Sequence, residues 1–129
     1  LDDIQIFMAI PLHPQKLSAR GYNQSQLMAQ PLAAAIRRPL LSETLYRVKP
    51  TKSQSTLSRK ERKENAEDAF LVADCQAVAG KKVLLVDDIC TTGYTLSEAA
   101  RVLLLAGATG VKALTIAVGV LEEKWMLKP

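Results

Sequence analysis

Cysteine is nearly absent: two of the 129 residues, Cys75 and Cys90, in no metal-ligand spacing. That argues against a disulfide scaffold or a zinc centre built within this chain. Aromatic residues make up only 5%, so platforms for stacked bases are few. No apolar run approaches the ~20 residues that span a bilayer. No charged-then-apolar leader opens the chain. Membrane insertion is therefore not expected, and a cytoplasmic setting is. The glycine-rich dinucleotide fingerprint and the P-loop lysine pattern are both missing. There is no internal repeat, low-complexity tract or linker, so residues 1–129 are expected to form one domain.

What remains is an ordinary globular composition, 48% hydrophobic and 23% charged, long enough to enclose a real core. The net charge of +4 and a pI of about 9.2 allow an anionic partner, phosphorylated or nucleic.

The chain is organised around Val83 to Ala106. Val83-Leu84-Leu85-Val86 is wholly apolar, as a parallel strand buried on both faces requires. Asp87 and Asp88 follow at its end, then Thr91-Thr92-Gly93-Tyr94-Thr95. Leu96, Ala99, Ala100, Leu103 and Leu104 recur at helical spacing, and Gly107 stops the helix. Thr95 and Glu98 fit a capping box, although the helix can also begin a turn earlier. Threonine hydroxyls and backbone N–H groups at a helix N-terminus make a phosphate cradle. Gly93 allows close approach or positive φ there. The two carboxylates can accept from vicinal hydroxyls or hold hydrated Mg²⁺. A phosphate beside a diol describes ribose 5-phosphate. The bland alternative is a strand-to-helix turn with two solvated aspartates.

DDICTTGYT after a hydrophobic strand resembles the phosphoribosyl pyrophosphate (PRPP) motif of type I phosphoribosyltransferases. The resemblance implies that Asp87 and Asp88 contact the ribose hydroxyls, with Mg²⁺ as cofactor. It implies that Thr91, Thr92, Gly93, Tyr94 and Thr95 grip the 5-phosphate. A receiver-domain reading of VLLVDD fails on order, because most of a receiver follows its acidic pair. Here only a helix, one strand and a tail are expected beyond Asp88.

Upstream, Ile4–Ile10 reads as a buried strand, with Ile4, Ile6 and Met8 on one face and Phe7, Ala9 and Ile10 on the other. Prolines Pro11 and Pro14 end it. His13, the only histidine, is expected in a loop rather than as a general base. Asn23 and Gln26 fit a capping box for a helix to about Ile36, with Leu27, Met28, Leu32, Ala35 and Ile36 as its apolar set. Pro31 should kink or interrupt that helix. This segment is similar to the PLHPxRxxxRGFNQ signature of the ComF/GntX family, with Leu12, His13, Pro14, Arg20, Gly21, Tyr22, Asn23 and Gln24 matching. The resemblance makes Arg20, Gly21 and Tyr22 candidates for binding pyrophosphate.

Leu45–Val48 and Phe70–Val72 read as short strands. Between them Ser58 to Asn65 is the densest charge run, either a solvated helix or loop or a mobile lid. QSTLSRKERKENAEDAF resembles the family's lid signature at Gln54, Leu57, Ser58, Arg59, Arg62, Asn65 and Phe70. The resemblance places Arg59 and Arg62 on the phosphates during catalysis. Val111–Val118 is read as the last strand, and Leu121 to Pro129 as a short mixed tail. Trp125 is expected to pack on the body or on a partner chain, which allows a homodimer.

The expected fold is thus α/β, type I phosphoribosyltransferase-like, with a mostly parallel twisted sheet, flanking helices and a lid. The resemblance also implies that complete members begin with a cysteine-rich segment, an extra strand and a helix not found here. The expected activity is phosphoribosyl transfer from PRPP with release of pyrophosphate. The alternative is a competence or DNA-utilisation protein that binds single-stranded DNA, contacts the DNA-uptake machinery and keeps a non-catalytic PRPP-type pocket. A weaker third reading is a regulator that senses PRPP.

Overall fold

A computed structural model describes residues 3–49, 58–88, 93–117 and 120–127. Gln54, Leu57, Cys90, Thr91 and Thr92 lie outside the described residues, as do the side chains of Arg62, Asn65 and Trp125.

The main sheet has four strands: β1 (Ile6–Ala9), β4 (Lys82–Asp87), β5 (Gly110–Ala117) and β6 (Val120–Leu127), in the order β1-β4-β5-β6. The first three are parallel and β6 returns antiparallel to β5. A second, two-stranded antiparallel sheet joins β2 (Leu45–Arg47) to β3 (Phe70–Val72). The helices are α1 (Pro14–Arg20), α2 (Gln24–Ala35), α3 (Arg59–Ala66), α4 (Cys75–Val78) and α5 (Tyr94–Leu105). No helix among the described residues is long and apolar enough to cross a membrane.

Strand β4 is buried on both faces, as its unbroken apolar run requires. Val83 and Leu85 enter one core with Leu96, Ala99, Ala100 and Leu103 of α5 and with Leu45 and Phe70 of the small sheet. Leu84 and Val86 enter the other core with Phe7 of β1, Ala29 and Ala33 of α2, and Leu114 of β5. Helices α2 and α5 therefore cover opposite faces.

Four expectations are corrected. Ile10 shares a face with Ile6 and Met8, while Ile4 packs with Phe7 and Ala9. A strict period of two from Ile6 to Ile10 explains the first, and Ile4 lies before the strand proper. In α2 the buried stripe is Ser25, Ala29 and Ala33, and Leu27 is 52% exposed. Small side chains let the helix lie close against the sheet, which outweighs the transfer gain of Leu27. Pro31 does not interrupt α2, because it falls on the solvent side. There the Leu27 carbonyl, which Pro31 cannot satisfy, can bond water. Finally, the tail is strand β6 rather than mixed coil. It satisfies the outer backbone edge of β5.

Candidate functional site

Strands β1 and β4 are parallel neighbours, so their carboxyl ends open at one edge. The chain leaves β1 for α2 on one face and leaves β4 for α5 on the other. That divergence is a switch point, where open α/β sheets hold their ligands.

After β1, His13 caps α1, its Nδ1 accepting from the Gln15 N–H at 3.2 Å. Pro14 takes the first helical position, where its missing N–H has no cost. His13 thus lies in a loop, where it is expected, and its capping role is an addition. Helix α1 itself was not anticipated. Arg20 is its last residue, and Gly21 terminates it at φ 87°, a left-handed position that favours glycine. Tyr22 is 48% exposed. Asn23 caps α2, accepting from Gln26 N–H at 3.3 Å and donating through Nδ2 to the Ile10 carbonyl at 3.1 Å. One side chain so ties the start of α2 to the end of β1.

Asp87 ends β4 and is only 9% exposed. Its Oδ1 accepts from the Asp88 N–H at 2.9 Å and from the Ser25 hydroxyl at 3.3 Å. Burial, and then the charge of Asp88, push its pKa up to about 7. The charge of Arg47 in β2 acts the other way. Asp88 is half-buried beside it.

Helix α5 begins at Tyr94, with Gly93 as its N-cap at φ 83°. The positive φ expected of Gly93 is observed. Among the described residues no side chain caps this helix, so the Thr95–Glu98 capping box is overturned. Because the helix starts one residue before Thr95, Thr95 is an internal residue. Glu98 instead accepts from the Asp68 N–H at 3.2 Å and pairs with Arg101. An uncapped helix start with backbone N–H groups at the sheet's carboxyl edge suits an anion.

Across the β2–β3 connection, α3 carries the charge run. Ser58 and Glu61 form a full capping box. The helix docks on α5: Arg59 Nε donates to the Tyr94 hydroxyl at 3.2 Å. That bond raises the Arg59 guanidinium above its ordinary pKa. A cation of the charge run thus meets the first residue of α5. Arg62 lies in the same helix. Arg20 and Tyr22 are exposed and have no described side-chain contact with this cluster. Their link to it is Ser25, three residues beyond Tyr22.

Ser25 and Arg47 were not singled out from the sequence. Ser25 carried a signal, since it stands at i, i+4 and i+8 with Ala29 and Ala33. Arg47 carried none, because nothing in LYRVK tells which face of a three-residue strand turns inward.

Among the described residues no three or more His, Cys, Asp or Glu side chains gather as a metal site. Two adjacent carboxylates nevertheless fit Mg²⁺, which binds through one or two carboxylates and completes its shell with water and ligand phosphate.

A mostly parallel sheet with an acidic pair at its switch point, flanked by helix α5 and the cationic helix α3, defines a phosphoribosyltransferase-type α/β domain. The chain belongs to the phosphoribosyl transferase domain family, which its residues 20–124 match. It is 39% identical over 105 residues to the DNA utilization protein YhgH of Salmonella typhi, covering 81% of this chain and 45% of that protein. It is 35% identical over 109 residues to competence protein F of Haemophilus influenzae, covering 84% and 48%. Competence protein ComFC of Streptococcus pneumoniae is 33% identical over 110 residues, covering 85% and 46%. These relatives bear out the resemblance to the ComF/GntX family. The chain spans about half the length of the curated relatives it matches.

Proposed function

We propose that the domain binds PRPP at the carboxyl edge of β1 and β4 and transfers its phosphoribosyl group. One observation carries this reading: the buried Asp87 with its half-buried neighbour Asp88 and the N-terminus of α5 share one switch point. Asp87 and Asp88 take the ribose hydroxyls, and the start of α5 takes the 5-phosphate. An acceptor nucleophile then forms a bond to the anomeric carbon as its bond to the diphosphate oxygen breaks, and the electron pair leaves with diphosphate. The carboxylates oppose the positive charge that develops on the ribose. Arg20, Gly21 and Tyr22 receive the diphosphate, with Arg59 and Arg62 closing over it. Mg²⁺ at Asp87 and Asp88 would neutralise part of the diphosphate charge. A cytoplasmic setting, where such a sugar phosphate is available, follows from this reading. Calorimetric titration with PRPP and Mg²⁺ tests it. The parent chain is expected to bind, and the combined Asp87→Asn, Asp88→Asn variant to lose about tenfold or more. Equal affinity in both would sink the assignment.

A second reading has its own support. The curated relatives are named for DNA utilization and competence, and α3 presents Arg59, Lys60 and Lys63 to solvent. On this reading the domain binds single-stranded DNA through its phosphates, with the PRPP-type pocket as an anchor.

A further inference from the structure

We propose that Asn23 is a positioning residue for the diphosphate end of the ligand, clasping the base of the segment that carries Arg20, Gly21 and Tyr22. For its ligand this rests on the PRPP reading.

Residues 11–22 leave the end of β1 and return at the start of α2. Helix α1 fills much of this excursion, yet Pro14 to Tyr22 are all exposed, so the segment has no core of its own. Among the described residues its hydrogen bonds close within it. The Gln15 N–H bonds His13 Nδ1, those of Lys16 and Leu17 bond the His13 carbonyl, and that of Gly21 bonds the Leu17 carbonyl. A surface segment with few buried contacts opens at little cost. Its place over the sheet edge must therefore be set where it joins the body.

Asn23 makes that join. Its Nδ2 donates to the Ile10 carbonyl at 3.1 Å, drawing the two ends of the excursion together, while its Oδ1 accepts from the Gln26 N–H at 3.3 Å. The Ile10 N–H donates in turn to the Val86 carbonyl at 2.9 Å, and Val86 directly precedes Asp87. One side chain and one backbone bond thus register Arg20, Gly21 and Tyr22 against the acidic pair. In the next positions of α2 the Ser25 hydroxyl donates to Asp87 Oδ1 at 3.3 Å, which keeps the helix start from sliding along the sheet edge. Capping alone does not need an asparagine, since serine, threonine or aspartate accepts as well from the helix. What distinguishes asparagine is an amide donor beside the acceptor, on a side chain long enough to serve both partners. A segment held over the edge before the ligand arrives loses less freedom on receiving a diphosphate.

Asn23→Ser separates the two roles of the side chain: the hydroxyl still caps α2 but lacks the amide that holds the Ile10 carbonyl. Asn23→Thr, a second cap former, repeats the comparison. The full chain and both variants are titrated with PRPP and with ribose 5-phosphate, each with Mg²⁺. The two ligands share the ribose and its 5-phosphate and differ in the diphosphate. The parent chain is expected to bind both. Each variant should weaken PRPP about tenfold and keep ribose 5-phosphate within about twofold, because only the diphosphate meets the loosened segment. Retained ribose 5-phosphate binding also shows that the variant is folded. Unchanged PRPP affinity would overturn the proposal. So would an equal loss for both ligands, which would make Asn23 a support of the fold alone. A parent chain that binds no PRPP sinks the PRPP reading itself, and shows it before any substitution is compared.

Discussion

Asp87 sits where a carboxylate is hardest to keep ionised. Its pKa rises from 3.8 to about 7, first through burial and then through the charge of Asp88. Between the two values the folded chain holds a proton that the unfolded chain releases. The contribution of Asp87 is therefore fully present below about pH 4 and is lost as pH rises through about 7. The parent chain is expected to lose up to about 4 kcal/mol across that window relative to Asp87→Asn. Urea midpoints measured for both chains over this pH series check it, and a difference that stays constant with pH would refute it. At the same scale, the two aspartates were legible because their order and place at a strand end carry chemistry. Their partner was not, because Ser25 lies 62 residues away in the chain and meets Asp87 only through the fold.

Helix α3 shows how an element is stabilised without a core of its own. It has eight residues, all but Asn65 and Ala66 charged. A helix so short is marginal alone. Its N-terminus is closed by the Ser58–Glu61 capping box. Near its C-terminus Lys49 Nζ donates to the Glu64 carbonyl at 2.8 Å and to the Glu67 carbonyl at 3.2 Å, where a cation also meets the favourable end of the dipole. Ser58→Ala and Lys49→Met should each cost the helix about 1 kcal/mol. Amide exchange at Arg62–Ala66 should quicken about fivefold in either variant while the β4 amides keep their protection. Equal slowing or quickening across both regions would mean that α3 has no stability of its own. The charge run was ambiguous in sequence because a solvated helix and a lid carry the same residues. The dock of Arg59 on Tyr94 connects the run to the candidate site.

At the scale of the molecule, the second reading makes a quantitative claim. Arg59, Lys60 and Lys63 project from α3. Three phosphates neutralised on a single strand give a slope of log affinity against log salt near about −2. Fluorescence anisotropy with an oligothymidine across a salt series measures it. A flat response would remove the physical basis of the DNA reading and leave PRPP binding as the use of this edge. The α/β class, the central strand, the acidic turn and the helix after it were readable from residue order alone. Each is local: an apolar run buried on both faces, a polar strand end and a helical period need no distant partner to be recognised. The tertiary structure decided what depends on contact between distant segments. It set which stripe of α2 is buried, because close approach to the sheet favours Ser25, Ala29 and Ala33 over Leu27. It made the tail a strand, because β5 had an edge to pair. It laid Arg47 over the Phe70 ring, a contact chosen by proximity in space that leaves no trace in residue spacing.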